Sequence, residues 1–168
     1  MSAIAVCPLS DLDETIARTG ARSMISLAGP DKSITRPAVI DREWLALEFN
    51  DIPGPRDGYI APSREDVAQI IETGLLWSGE TPLICQCWLG VSRSTASALI
   101  ISAARRPDQD FDELAQRLRK LSPTATPNPM MIRLADEQLA LGNRLVHAVR
   151  SIGRGANCMQ GEPFELRV

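Results

Sequence analysis

Apolar residues along this chain fall into two kinds of run that take turns. Short continuous or β-branched runs at residues 3–6, 22–28, 44–49 and 82–87 have the length and composition of strands. The stretches between and after them carry apolar residues at helical spacing. Ser10, with Asp13 three residues on, resembles a capping box and opens the first helix, which Gly20 closes. Ser63 and Asp66 open a second, whose stripe is Val67, Ile70, Ile71 and Leu75. A third runs from about residue 92 to 105 on Ala96, Leu99, Ile100 and Ala103, and stops before Pro107. Asp110 with Glu113 starts a fourth, reaching about Leu121. Asn128-Pro129 sets an N-cap before a proline at the first helical position. Met131, Leu134, Leu141, Leu145, Val149 and Ile152 then keep the period, which predicts one long terminal helix weakened at Gly142. Residues 31–41 read as irregular linking structure.

Strands that alternate with helices predict an α/β fold: a central, mostly parallel sheet of four or five strands with helices on both faces. We expect a single domain over residues 1–152, followed by a C-terminal tail over 153–168, packed or frayed. Ligands of such sheets bind at the carboxyl ends of the strands. Two of those ends stand out chemically, Asn50-Asp51 and Cys87.

Composition narrows the function. With 168 residues, 44% of them hydrophobic, there is material for a full core, and 11 Gly and 12 Pro are ordinary usage. A net charge of −3 without a basic block argues against nucleic-acid and membrane-surface partners, and 4% aromatics are too few for a base-stacking platform. No apolar run approaches the ~20 residues of a membrane span. The N-terminal MSAIAVCPLSDLDE has no basic region and meets acid by Asp11, so no secretory signal is expected. Four cysteines (Cys7, Cys85, Cys87, Cys158) in this setting predict reduced thiols and a cytoplasmic location. Only two of the 18 basic residues are Lys, a bias that fits a GC-rich bacterial genome.

The decisive segment is Cys87-Trp88-Leu89-Gly90-Val91-Ser92-Arg93-Ser94. It is a strand ending in Cys, a loop containing Gly, and an Arg in the first turn of a helix. A helix N-terminus offers unpaired N–H groups and partial positive charge, so it attracts an anion. The wrapped loop from Trp88 to Ser92 adds inward N–H groups, and Gly90 permits backbone that other residues resist. Arg93 brings a planar fork for two phosphate oxygens. At the floor of this positive cup the Cys87 thiolate is favoured, facing a bound phosphate as a nucleophile.

Cys87-x5-Arg93-Ser94 resembles the C-x5-R-S/T signature loop of the cysteine-dependent protein tyrosine phosphatase superfamily, and in particular its compact bacterial dual-specificity-like members. The strand PLICQC before the loop, the Asn50-Asp51 strand end 36 residues upstream and Pro127-Asn128-Pro129 agree with it. The resemblance covers roughly residues 44 to 145. It implies a phosphomonoester hydrolase in which Cys87 forms a phosphocysteine while Arg93 and the loop amides hold the equatorial oxygens. Asp51 is the candidate general acid, with Asp57 of the same loop in reserve. Ser94 corresponds to the family hydroxyl that stabilises the departing thiolate. No metal or cofactor is expected, and one histidine is poor material for a zinc site. The expected partner is a phosphorylated protein or small phosphoester.

Departures and plain alternatives stand beside this reading. Gln86 occupies a position where many relatives carry His. The loop has no Lys, which ranks polyphosphorylated inositol lipids lower. Trp88 could line the mouth for an aromatic phosphoester. Cys85, two residues before Cys87, is read as a core thiol ahead of a redox partner. Asn128 is either an N-cap or, by the resemblance, a brace for the loop. His147 is read as a solvated or packing residue, and Arg56, Arg64 and Arg133 as solvated surface. Two other functions compete: a phosphate-binding pseudophosphatase without turnover, and a rhodanese-type sulfurtransferase.

Overall fold

In the computed structural model, which describes residues 2–168, five strands make one sheet: β1 (Ala3–Pro8), β2 (Ser23–Ala28), β3 (Trp44–Glu48), β4 (Leu83–Cys87) and β5 (Phe164–Arg167). Their order is β3-β2-β4-β1-β5. The β1–β4, β2–β4 and β2–β3 pairs are parallel, and β5 runs antiparallel to β1. The α/β class and the mostly parallel sheet agree with the sequence pattern. β4 is central and buried along its whole length, which is why PLICQC reads as a continuous apolar run and not an alternating one.

Period-2 alternation sorts the strand residues between two cores. Ile4, Val6, Ile25, Leu27, Leu83 and Cys85 face the larger one. That core is covered by α2 (Arg64–Leu76), α3 (Arg93–Arg105), α4 (Phe111–Leu121), α5 (Pro129–Gln138) and α6 (Arg144–Ser151). Ala5, Cys7, Met24 and Ile84 face the other side, against Leu12 and Ile16 of α1 (Leu12–Thr19) and against Ile40. The long 29–43 connection, which the pattern leaves irregular, thus still supplies a core residue. None of the helices is long and apolar enough to cross a membrane.

Helix starts follow their caps closely. Ser63 and Asp66 form a complete reciprocal capping box, Asp110 accepts from the Glu113 N–H, and Asn128 accepts from the Met131 N–H. Two expectations need correction. Ser10 does not cap: residues Leu9–Asp11 form a 3-10 turn, α1 starts at Leu12, and the Ser10 hydroxyl bonds Asp11 and Gln160 instead. The expected long terminal helix is two helices. Ala140, Gly142 and Asn143 take left-handed backbone (φ 52°, 63° and 67°), which ends α5 and re-aims α6. The apolar period survives the break because Leu134, Leu141 and Leu145 bury against the same core. Residues 153–168, set apart as a tail by the pattern, supply β5, with Leu166 fully buried.

The corner between α5 and α6 is held by one buried carboxylate. Asp136 accepts hydrogen bonds from the N–H groups of Asn143 (2.7 Å), Leu145 (2.9 Å) and Val146 (3.2 Å), and so satisfies the first turn of α6. Asp136→Ala leaves these donors without a partner and is expected to cost about 3 kcal/mol in urea denaturation.

Candidate active site

β4 ends at Cys87 and α3 begins at Arg93, so the chain must reverse within five residues at the carboxyl edge of the sheet. Gly90 makes that reversal possible. Its φ is +66°, and a Cβ there would lie 2.7 Å from the Pro8 nitrogen and 3.0 Å from the Cys7 carbonyl carbon. The loop is therefore pressed directly onto the end of β1.

Four of the five carbonyls from Trp88 to Ser92 accept hydrogen bonds from outside the loop. Trp88 O accepts from the Leu9 N–H (3.3 Å), Leu89 O from Gly161 (2.8 Å), Val91 O from Thr126 (2.9 Å) and Ser92 O from Asn128 (3.3 Å). A trans peptide is planar, with its C=O and the next N–H pointing opposite ways. Carbonyls turned outward thus turn the N–H groups of Leu89, Gly90, Ser92 and Arg93 inward. Among the described residues, no protein acceptor takes the N–H groups of Leu89 to Ser92. Such converging donors form an anion nest.

Arg93 completes the cup. The residue is 8% exposed, one guanidinium nitrogen donates to the Phe49 carbonyl at 3.0 Å, and Nε is buried without a hydrogen-bond partner. No carboxylate among the described residues pairs with it. A buried cation lacking a counter-charge is costly, and a bound oxyanion would supply one. The Cys87 thiol, 3% exposed, lies 3.0 Å from the Ser94 hydroxyl. That hydroxyl is the donor to the sulfur whenever the sulfur is a thiolate.

Asp51 enters from the loop after β3. Its Oδ1 accepts from the Ser92 hydroxyl (2.7 Å) and from Asn128 Nδ2 (2.8 Å). Ser92 is the N-cap position of α3, yet its side chain goes to Asp51 and leaves the first-turn N–H groups free. Asn128 also donates to the Ile52 carbonyl (3.0 Å) while its Oδ1 caps α5. Through this side-chain amide and its own backbone N–H to the Ser92 carbonyl, Asn128 ties three segments together. A groove of about 960 Å³ opens beside Asp51, Ser92 and Asn128, walled by Leu89, Val149 and Cys158.

The structure is similar to that of DUSP15, at 15% identity and a TM-score of 0.60 over 88% of each chain. It is similar to PTPMT1 in complex with PI(5)P, at 12% identity and 0.59, over 83% of this chain and 90% of that one. A variant of human DUSP28 follows at 19% identity and 0.52, over 77% and 85%. The chain has the fold of the dual-specificity phosphatases. No protein-family model matches the sequence, and no curated protein matches it.

Within this phosphatase fold the sequence candidates separate. Cys87, Arg93, Ser94 and Asp51 come together around the loop, whereas Asp57 is exposed and receives no hydrogen bond from it. Trp88 is 62% exposed and lies outside the groove lining. Gln86 points to the opposite face of β4 from Cys87 and accepts from Ser26 (3.0 Å), so it does not bond around the loop. Arg64 and Arg133 both pair with Glu137, Arg56 stacks on Tyr59, and His147 is exposed. The side-chain link from Ser92 to Asp51 and the wall formed by residues 153–158 escaped sequence reading. The glycine-rich tail (Gly153, Gly155, Gly161) was the available signal of close backbone approach.

The remaining thiols differ from Cys87 in their surroundings. Burial pushes Cys85 well above the ordinary thiol value, and burial pushes Cys7 up to about 12 against the Thr15 hydrogen bond that lowers it. These are core thiols on opposite faces of the sheet. Below pH 9.0 Cys7 is protonated in the folded and unfolded chain alike. From there to about 12 the unfolded chain loses the proton first, so stability falls as pH rises. Denaturant unfolding across this window should show the fall, shallower in Cys7→Ala by up to about 1.4 kcal/mol per pH unit.

Proposed function

We propose that the chain is a cysteine-dependent phosphomonoester hydrolase of the protein tyrosine and dual-specificity phosphatase superfamily. The observation that carries this reading is the buried Arg93 guanidinium, unpaired by any carboxylate, beside a Cys-headed loop whose N–H groups have no protein acceptor. That is a site built for a dianionic phosphate. The likeness in fold to dual-specificity phosphatases supports the same class.

The reaction follows from the parts. Phosphate oxygens settle against the Leu89–Ser92 amides and the Arg93 fork. The Cys87 thiolate attacks phosphorus, the ester P–O bond breaks, and Asp51 protonates the leaving oxygen. Oδ1 of Asp51 is occupied by two donors, so Oδ2 is the oxygen free to carry that proton. In the second step Asp51, now a carboxylate, takes a proton from water as the water attacks the phosphocysteine. The S–P bond breaks, inorganic phosphate leaves, and the Ser94 hydroxyl donates to the returning thiolate. The nucleophile must stay reduced, in keeping with four free cysteines and a reducing, cytoplasmic setting.

A phosphorylated protein is the substrate class we favour. The groove is broad, and Arg150 and Arg154 on its wall supply cations in addition to Arg93.

Hydrolysis of p-nitrophenyl phosphate and of a phosphotyrosine peptide, with chelator present, tests the assignment. Cys87→Ser should reduce turnover to background. Asp51→Asn should lower kcat by about 10²–10⁴-fold on phosphotyrosine, and less on the better leaving group p-nitrophenol. Asp57→Asn should stay near wild type. Wild-type protein that binds phosphate yet hydrolyses neither ester would overturn the reading in favour of a binding module. Sulfur transfer from thiosulfate to cyanide without ester hydrolysis would point to a sulfurtransferase.

A further inference from the structure

We infer that the C-terminal segment through Gly161 is a working part of the phosphate loop, with Gly161 as a positioning residue that aims the Gly90 N–H at the bound phosphate. This rests on the phosphatase reading above and adds a component outside the Cys-to-Arg signature.

The argument is one of peptide planes. The Leu89 carbonyl and the Gly90 N–H belong to a single planar peptide and point opposite ways. Whatever holds that carbonyl outward holds the N–H inward. Trp88, Val91 and Ser92 have their carbonyls fixed by Leu9, Thr126 and Asn128, all close to the core of the fold. The Leu89 carbonyl accepts instead from Gly161, at 2.8 Å. Gly90 is the residue best able to rotate, so its peptide most needs an external clamp.

The approach has no room for a side chain. A Cβ on Gly161 would sit 2.8 Å from the Gly90 carbonyl oxygen and 3.4 Å from its carbon. The segment is also anchored before it arrives. Ala156 N–H donates to Pro123 O (2.9 Å) and Gly155 N–H to the Thr126 hydroxyl (3.1 Å), with Thr126 itself holding Val91. A Cβ on Gly155 would lie 2.4 Å from the Thr124 carbonyl. Ser10 donates to Gln160 (3.1 Å), and β5 fixes the chain beyond. Gly161 is thus delivered to Leu89 by contacts on both sides.

Two full-length variants test this. Gly161→Ala forces the loop apart. An amide-to-ester replacement at 161 deletes only the N–H donor; it is made by ligating synthetic residues 158–168, with glycolic acid at 161, through Cys158. Kinetics on p-nitrophenyl phosphate and inhibition by orthovanadate are read beside thermal unfolding. Gly142→Ala serves as control: its φ of +63° makes alanine strained, but nothing lies within 4 Å of an added Cβ, and it sits between α5 and α6. Gly161→Ala should lower kcat/KM and weaken orthovanadate inhibition together, by about tenfold or more, and the ester should weaken inhibition by about 3- to 10-fold. The control should lose stability while keeping wild-type inhibition. An ester variant with wild-type inhibition overturns the inference whether or not Gly161→Ala folds, and so does a Gly161→Ala that merely melts earlier. A wild type that neither hydrolyses the ester nor binds orthovanadate takes down the phosphatase reading itself. Active wild type with an indifferent ester variant sinks only the role of Gly161.

Discussion

A guanidinium buried without a carboxylate is the constraint around which this molecule is arranged. Arg93 sits where α3 meets the end of β4, and among the described residues the one acceptor of its guanidinium is the Phe49 carbonyl. Folding a chain around such a group costs free energy that the core must offset. The reward is a site whose charge is fixed in place before any ligand arrives. Water need not be reorganised around a mobile cation, and the first-turn N–H groups of α3 add their field in the same direction. The burial of α3 from Arg93 to Ala103 keeps that geometry rigid.

Rigidity of the surrounding shell comes from polar side chains that serve the backbone. Thr95 and Ser97 bond back to the Val91 and Arg93 carbonyls, Asn128 joins the loop after β3 to the start of α5, and Ser92 gives up its capping role to reach Asp51. The candidate acid is thereby referenced to the loop through Ser92 and to α5 through Asn128. Its placement is a property of three elements at once.

How much of this was readable beforehand follows from what kind of contact is involved. The strands β1 to β4, the helix starts at Ser63, Asp110 and Asn128, and the Cys87 to Ser94 loop are local in sequence, and local chemistry announces them, whereas β5 in the tail did not announce itself. The split between α5 and α6 was hidden because both helices bury one apolar stripe, while the signal that broke them, Gly142-Asn143, looked like a mild weakness. Gln86 could not be assigned to a face until the strand register was known. The choice of Asp51 over Asp57 depended on partners 41 and 77 residues away, Ser92 and Asn128, which no spacing rule connects.

The antiparallel strand β5 does more than cover the edge of β1. Synthesis delivers the loop's outer supports in the order Leu9, Thr126, Asn128 and Gly161, with the loop itself emerging between the first two. A nascent chain therefore carries Cys87 long before all the contacts around its loop can form. The bond from Gly161 to the Leu89 carbonyl cannot form until synthesis has passed residue 161, just ahead of the strand that closes the edge of β1.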